Sequence, residues 1–143
     1  MILATKRFFS YMACGSFCFI IAILINFALR PILPSMDRGL RDIVHLIAAY
    51  GVPLLVLSAI RLIFDVVVCF ASKRNINFPK NFFICVSIII YSIFEFYHEY
   101  SQYLQKRYLQ WDQYLFEVIG FIILLISYKK LDYYLENKIL KSF

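Results

Sequence analysis

The chain has 143 residues, of which 62% are hydrophobic, 19% aromatic and 17% charged, and its mean hydropathy is +0.73. Soluble domains run at roughly 45–50% apolar and about 25% charged, so a soluble monomer is ruled out, and 15 Phe with 11 Tyr rule out a disordered chain. The net charge of +6 reads as basic loops held on the cytoplasmic side of a membrane, with no nucleic acid as partner.

A span needs about 20 apolar residues to cross a hydrocarbon core of roughly 30 Å. The length therefore admits four spans with short loops in one membrane domain, 1–143, and no separate extramembrane domain. The first span covers about 8–29, a run of 22 residues without a charge, bounded by Lys6 and Arg7 before it and by Arg30 and Pro31 after it. It is longer than the apolar region of a cleaved signal peptide and lacks a small-residue cleavage site, so it reads as a retained anchor. The second covers about 43–64, with a kink expected at Gly51-Val52-Pro53, where proline removes a backbone donor. Arg61 and Asp65, four apart near its end, read as a structural pair along the helix.

The third span covers about 81–98 and the fourth about 113–129, followed by an amphipathic tail, 130–143. The fold class expected is all-α, an integral membrane bundle of four transmembrane helices. Lys and Arg number nine on the side of the termini and the second loop, against five in loops one and three. Both termini are therefore expected in the cytoplasm of a bacterial cell, with segments 30–42 and 98–112 outside. Cys14, Cys18, Cys69 and Cys85 fall in or beside apolar runs and read as small buried hydrophobes, with no disulfide and no metal expected.

In so apolar a chain the polar residues at membrane depth carry the information, because an ionisable group at the bilayer centre costs about 2.5–3.5 kcal/mol even on insertion scales. Two groups collect at the outer side. One is Arg41, Asp42 and His45 at the start of the second span. The other is Glu95, His98, Glu99 and Gln102, whose spacing places them on one side of a helix, followed by Lys106, Arg107 and Asp112. Glu117, just inside the fourth span, needs a partner, and Arg107, His45 and Gln102 are the candidates.

Two sharper readings fail on counting. A di-iron bundle needs two Glu-x-x-His copies and two further Glu, and Glu95-x-x-His98 occurs once in a chain with two histidines. His98-Glu99-x-x-Gln102 lacks the second imidazole of the zinc-protease pattern. No metal and no cofactor is called for.

These residues resemble the VanZ-like family of small membrane proteins, associated with resistance to the glycopeptide teicoplanin. Asp42, His45, Ala49 and Tyr50 resemble its first motif, and Glu99, Gln102, Arg107, Asp112 and Gly120 its second. The Asp42–His45 spacing is one residue shorter than the family's, and Gln113 and Glu117 stand where the family pattern has Asp and Asn. The resemblance spans roughly 41–127 and implies an envelope protein linked to glycopeptide tolerance.

The expected binding site is the outer polar cluster of Asp42, His45, Glu99, Gln102, Arg107, Asp112 and Glu117. Its expected ligand is a polar headgroup, carried by a lipid-linked envelope component or a lipoglycopeptide, with Arg107 on the anionic group. Membrane lipids are the surrounding partner. The alternatives are an accessory subunit packed on another membrane protein and a lipid-modifying enzyme.

Overall fold

The computed structural model describes residues 2–71, 79, 81–107, 111–134 and 137. Four long helices dominate, and no strand occurs among the described residues: α1 (Ile2–Leu24), α2 (Asp37–Ala71), α3 (Phe82–Lys106) and α4 (Trp111–Tyr134). Beyond Leu24 the first helix widens into a π-helical segment, Ile25–Leu29, and closes with one more turn, Arg30–Ile32. Pro34–Met36 then forms a 3-10 turn leading into α2.

Three segments are long and apolar enough to cross a membrane, Arg7–Ile32, Pro34–Val67 and Phe82–Gln105. The fourth expected span lies in α4, which is not one of these three and carries Asp112, Glu117, Lys129, Lys130 and Asp132. The tail beyond Tyr134 lies outside the described residues, apart from Asn137.

The helices alternate in direction, and α2 is the hub against which α1, α3 and α4 pack. Small residues set the distances. A Cβ on Gly51 would lie 2.5 Å from Cys18 Cβ, and one on Gly120 would lie 2.6 Å from the Leu46 carbonyl and 2.9 Å from Ala49 Cβ. Without a hydrophobic drive between helices in lipid, such close backbone approach supplies the packing. Pro53 is fully buried within α2, and the helix is continuous through it.

The core consists of Tyr11, Leu54, Leu57, Phe83, Ile84, Leu124 and Tyr128. Tyr11 stacks on Tyr128 with ring centroids 6.3 Å apart, and its hydroxyl donates to Asp132, tying the start of α1 to the end of α4. Tyr91 meets Phe121 edge-on at 5.7 Å between α3 and α4. Ser58 and Ser87 are buried, but each hydroxyl donates to a carbonyl three residues back, at 2.7 and 2.8 Å, so neither is an unsatisfied group.

The expected pairing of Arg61 with Asp65 is not formed. Arg61 instead lies over the Phe83 ring, 4.7 Å from its centroid, a cation–π contact that keeps the guanidinium against α3. Cys14, Cys18 and Cys85 are free thiols.

Candidate functional site

At the end of the bundle where α1 finishes and α2 begins, all four helical segments contribute to a cleft of about 330 Å³. Asn26 and Arg30 come from the end of the first segment, and Arg41, Val44 and His45 from the first turns of α2. His98 and Gln102 come from the last turns of α3, and Gln113 from the start of α4. Two guanidinium groups, two imidazoles and three carboxamides thus face one space, with no carboxylate among the lining residues described.

The carboxylates stand behind this lining. Glu117, 1% exposed, accepts from His45 Nδ1 at 2.7 Å across the α2–α4 contact. That bond fixes the imidazole and leaves Nε2 as the ring nitrogen not engaged by Glu117. Glu95 Oε2 lies 3.8 Å from His98 Nδ1, and the Tyr91 hydroxyl donates to Glu95. Gln102 Nε2 is 3.3 Å from His98 Nε2, an arrangement in which the amide donates and the ring accepts. Asp37 accepts from Arg30 Nε at 2.7 Å, while Arg30 Nη1 donates to Asn26.

The π-helical segment accounts for the α1 contribution. π-Helical turns are rare and are frequently found at functional sites; this one contains Asn26 and directly precedes Arg30. Three polar atoms near this end are buried without a hydrogen-bond partner: Arg41 Nε, Asp42 Oδ1 and Glu99 Oε1. An unmet buried donor or acceptor costs about 1–3 kcal/mol.

Of the residues singled out in the sequence, His45 and Gln102 line the cleft and Glu117 supports it directly behind His45. Asp42 and Glu99 are each 9% exposed and are not among the lining residues. Asp112 pairs with Arg38 at 3.0 Å on the adjoining surface. Its slight burial raises the carboxyl, but the Gln113 backbone N–H and the Arg38 guanidinium hold it below the usual carboxylate range. Arg107 is exposed and caps α3 in a left-handed conformation, φ 64°, with its N–H donating to Tyr103 at 2.8 Å.

No family model, curated protein or solved structure matches the chain. The cleft's chemistry therefore rests on its own geometry.

Sequence reasoning missed Asn26 and Arg30, which it treated as part of the anchor and its boundary. The available signal was their i,i+4 spacing at the end of an otherwise uncharged run, with Asp37 seven residues on. Arg41, His98 and Gln113 were noted but not placed in the site.

Proposed function

We propose that the chain is a VanZ-like envelope protein of the bacterial cytoplasmic membrane, with four helices crossing the bilayer and both termini in the cytoplasm. Its cleft opens at the outer face and holds the polar headgroup of a lipid-linked or lipidated molecule, through which the protein contributes to teicoplanin tolerance. The observation that carries this reading is the convergence of hydrogen-bond donors from all four helical segments on one cleft. The apolar surface supports the membrane setting, with Phe27 73%, Ile93 65% and Ile126 73% exposed, because so much exposed hydrocarbon calls for cover other than water.

The test is teicoplanin and vancomycin susceptibility of a bacterial host carrying the wild type, Gln102→Leu or an empty vector, at matched membrane abundance. A teicoplanin-selective gain in tolerance that disappears in Gln102→Leu is expected. Equal susceptibility of all three strains overturns the role in tolerance.

One observation favours a second reading, that of an accessory subunit. Phe94, Phe96, Tyr97 and Tyr100 are 50–71% exposed on α3, and aromatic residues are enriched at protein interfaces. A stoichiometric partner copurifying in mild detergent, and lost on Phe96→Ser with Tyr97→Ser, is the result this reading requires.

A further inference from the structure

We propose that the group bound in the cleft is a phosphate, held by Arg30 and Arg41, and that it belongs to a lipid. The inference rests on the cleft being a headgroup site and adds the chemical class of the headgroup. Arg30 is set in place from two sides, by Asp37 on Nε and by Asn26 on Nη1. Those two acceptors leave the Nη2 edge of a planar, permanently charged fork for a ligand. Arg41 contributes a second guanidinium whose Nε is buried with no acceptor, so an oxygen arriving there removes an existing penalty.

The arrangement of donors selects the anion. They arrive from the end of the first helical segment, the first turns of α2, the last turns of α3 and the start of α4, so they do not share a plane. A carboxylate offers two coplanar oxygens, whereas a phosphate offers several oxygens in tetrahedral directions and accepts from all sides. An uncharged sugar headgroup would bring no countercharge to the two guanidinium groups, and no carboxylate is among the lining residues described. Two of the negative groups nearby are committed, Glu117 to His45 and Asp37 to Arg30, and they hold those donors in place; Asp42 and Glu99 are not among the lining residues.

The surroundings indicate a lipid as the carrier. Phe27, Ile32 and Met36, 73%, 71% and 58% exposed, flank Arg30 in the turn between the first two long helices. The guanidinium that faces the cleft is thus adjacent to surface suited to acyl chains. The volume of about 330 Å³ is at the small end of ligand sites, roughly 300–1,000 Å³, and suits a compact headgroup.

The full-length protein in a neutral maltoside detergent is titrated by calorimetry with dioctanoyl phosphatidic acid, dioctanoylglycerol and sodium phosphate. Phosphatidic acid is expected to bind saturably and at least tenfold tighter than dioctanoylglycerol. Arg41→Gln should weaken that binding at least tenfold, Arg41→Lys less, and Lys130→Gln not at all. Binding of dioctanoylglycerol within twofold of phosphatidic acid overturns the phosphate assignment, and this comparison needs only the wild type, so it stands if a variant fails to fold. In that outcome the headgroup reading survives; no saturable binding of either lipid removes both. Phosphate alone binding as tightly as phosphatidic acid keeps the phosphate and overturns its lipid source.

Discussion

His45 and Glu117 show why a glutamate is tolerated inside an apolar helical bundle. Glu117 is 1% exposed and its bond to His45 is 2.7 Å, so His45→Ala strands a buried carboxylate, a loss of about 3 kcal/mol or more. Glu117→Gln keeps an acceptor for the imidazole and should cost less, and the double variant should recover part of the His45→Ala loss, as read from melting in detergent. The need of Glu117 for a partner was legible in the sequence, and His45 was among the three candidates, because an unpaired charge buried among apolar residues is costly. Arg107 closes α3 in a left-handed conformation and is exposed. Its left-handed backbone costs a non-glycine residue about 1 kcal/mol, so Arg107→Gly should raise the melting temperature while leaving phosphatidic acid binding unchanged. Asp112 has a lowered carboxyl, so its pairing with Arg38 stabilises above about pH 3.9, the unfolded value. That contribution is lost as the pH falls through the lower folded value. On so exposed a pair it amounts to at most about 1 kcal/mol, and Arg38→Ala should flatten acid-side stability by no more than this.

At the scale of the helices, the apolar runs marked where each element lies but not where it ends. The second span reads as starting at Ile43, yet α2 starts at Asp37, because the polar turns before Ile43 continue the helix beyond the apolar stretch. At 35 residues, α2 is about 52 Å long, well beyond a hydrocarbon core of roughly 30 Å. The surplus gives Arg41 and His45 a helical platform at the end of the bundle. Glycine positions separate packing from tolerance. Gly120→Ala places a methyl group 2.6 Å from a backbone oxygen, and overpacking of this kind costs about 1–3 kcal/mol. Gly39→Ala meets nothing within 4 Å, and as a helical replacement it should stabilise by about 0.5–1 kcal/mol. Melting temperatures that move the same way in both variants contradict this account. The spacing of the glycines is visible in the sequence, but which partner each one meets depends on tertiary pairing and is not.

For the whole molecule, alternating helices bring four sequence-distant segments to one end, so a site dispersed over 26–113 becomes a single cleft. The sequence showed two of these segments as polar clusters. It hid the contribution of the first helix, because Asn26 and Arg30 look like the ordinary end of an anchor. The proposed orientation has a direct readout in a cysteine-free background. Gly39→Cys should react with an impermeant maleimide in intact cells, and Lys130→Cys only after permeabilisation; the reverse pattern would invert the bundle and put the cleft in the cytoplasm.

The π-helical segment Ile25–Leu29 also acts as a phase keeper. A π-turn closes through an i→i+5 bond where an α-turn closes through i→i+4, so it takes up one residue more without carrying the following turn out of line. Deleting Ala28, which is exposed, removes no cleft side chain, leaves the Gly15–Gly51 contact upstream intact and lets the turn close as ordinary α-helix with Arg30 still aimed at the cleft. Inserting one alanine after Leu29 instead advances Arg30 by about 100°, so the composition of the site would be complete and its alignment gone. Phosphatidic acid binding kept by the deletion and lost on the insertion, at the wild-type melting temperature, would show that the helix is wound for its last arginine.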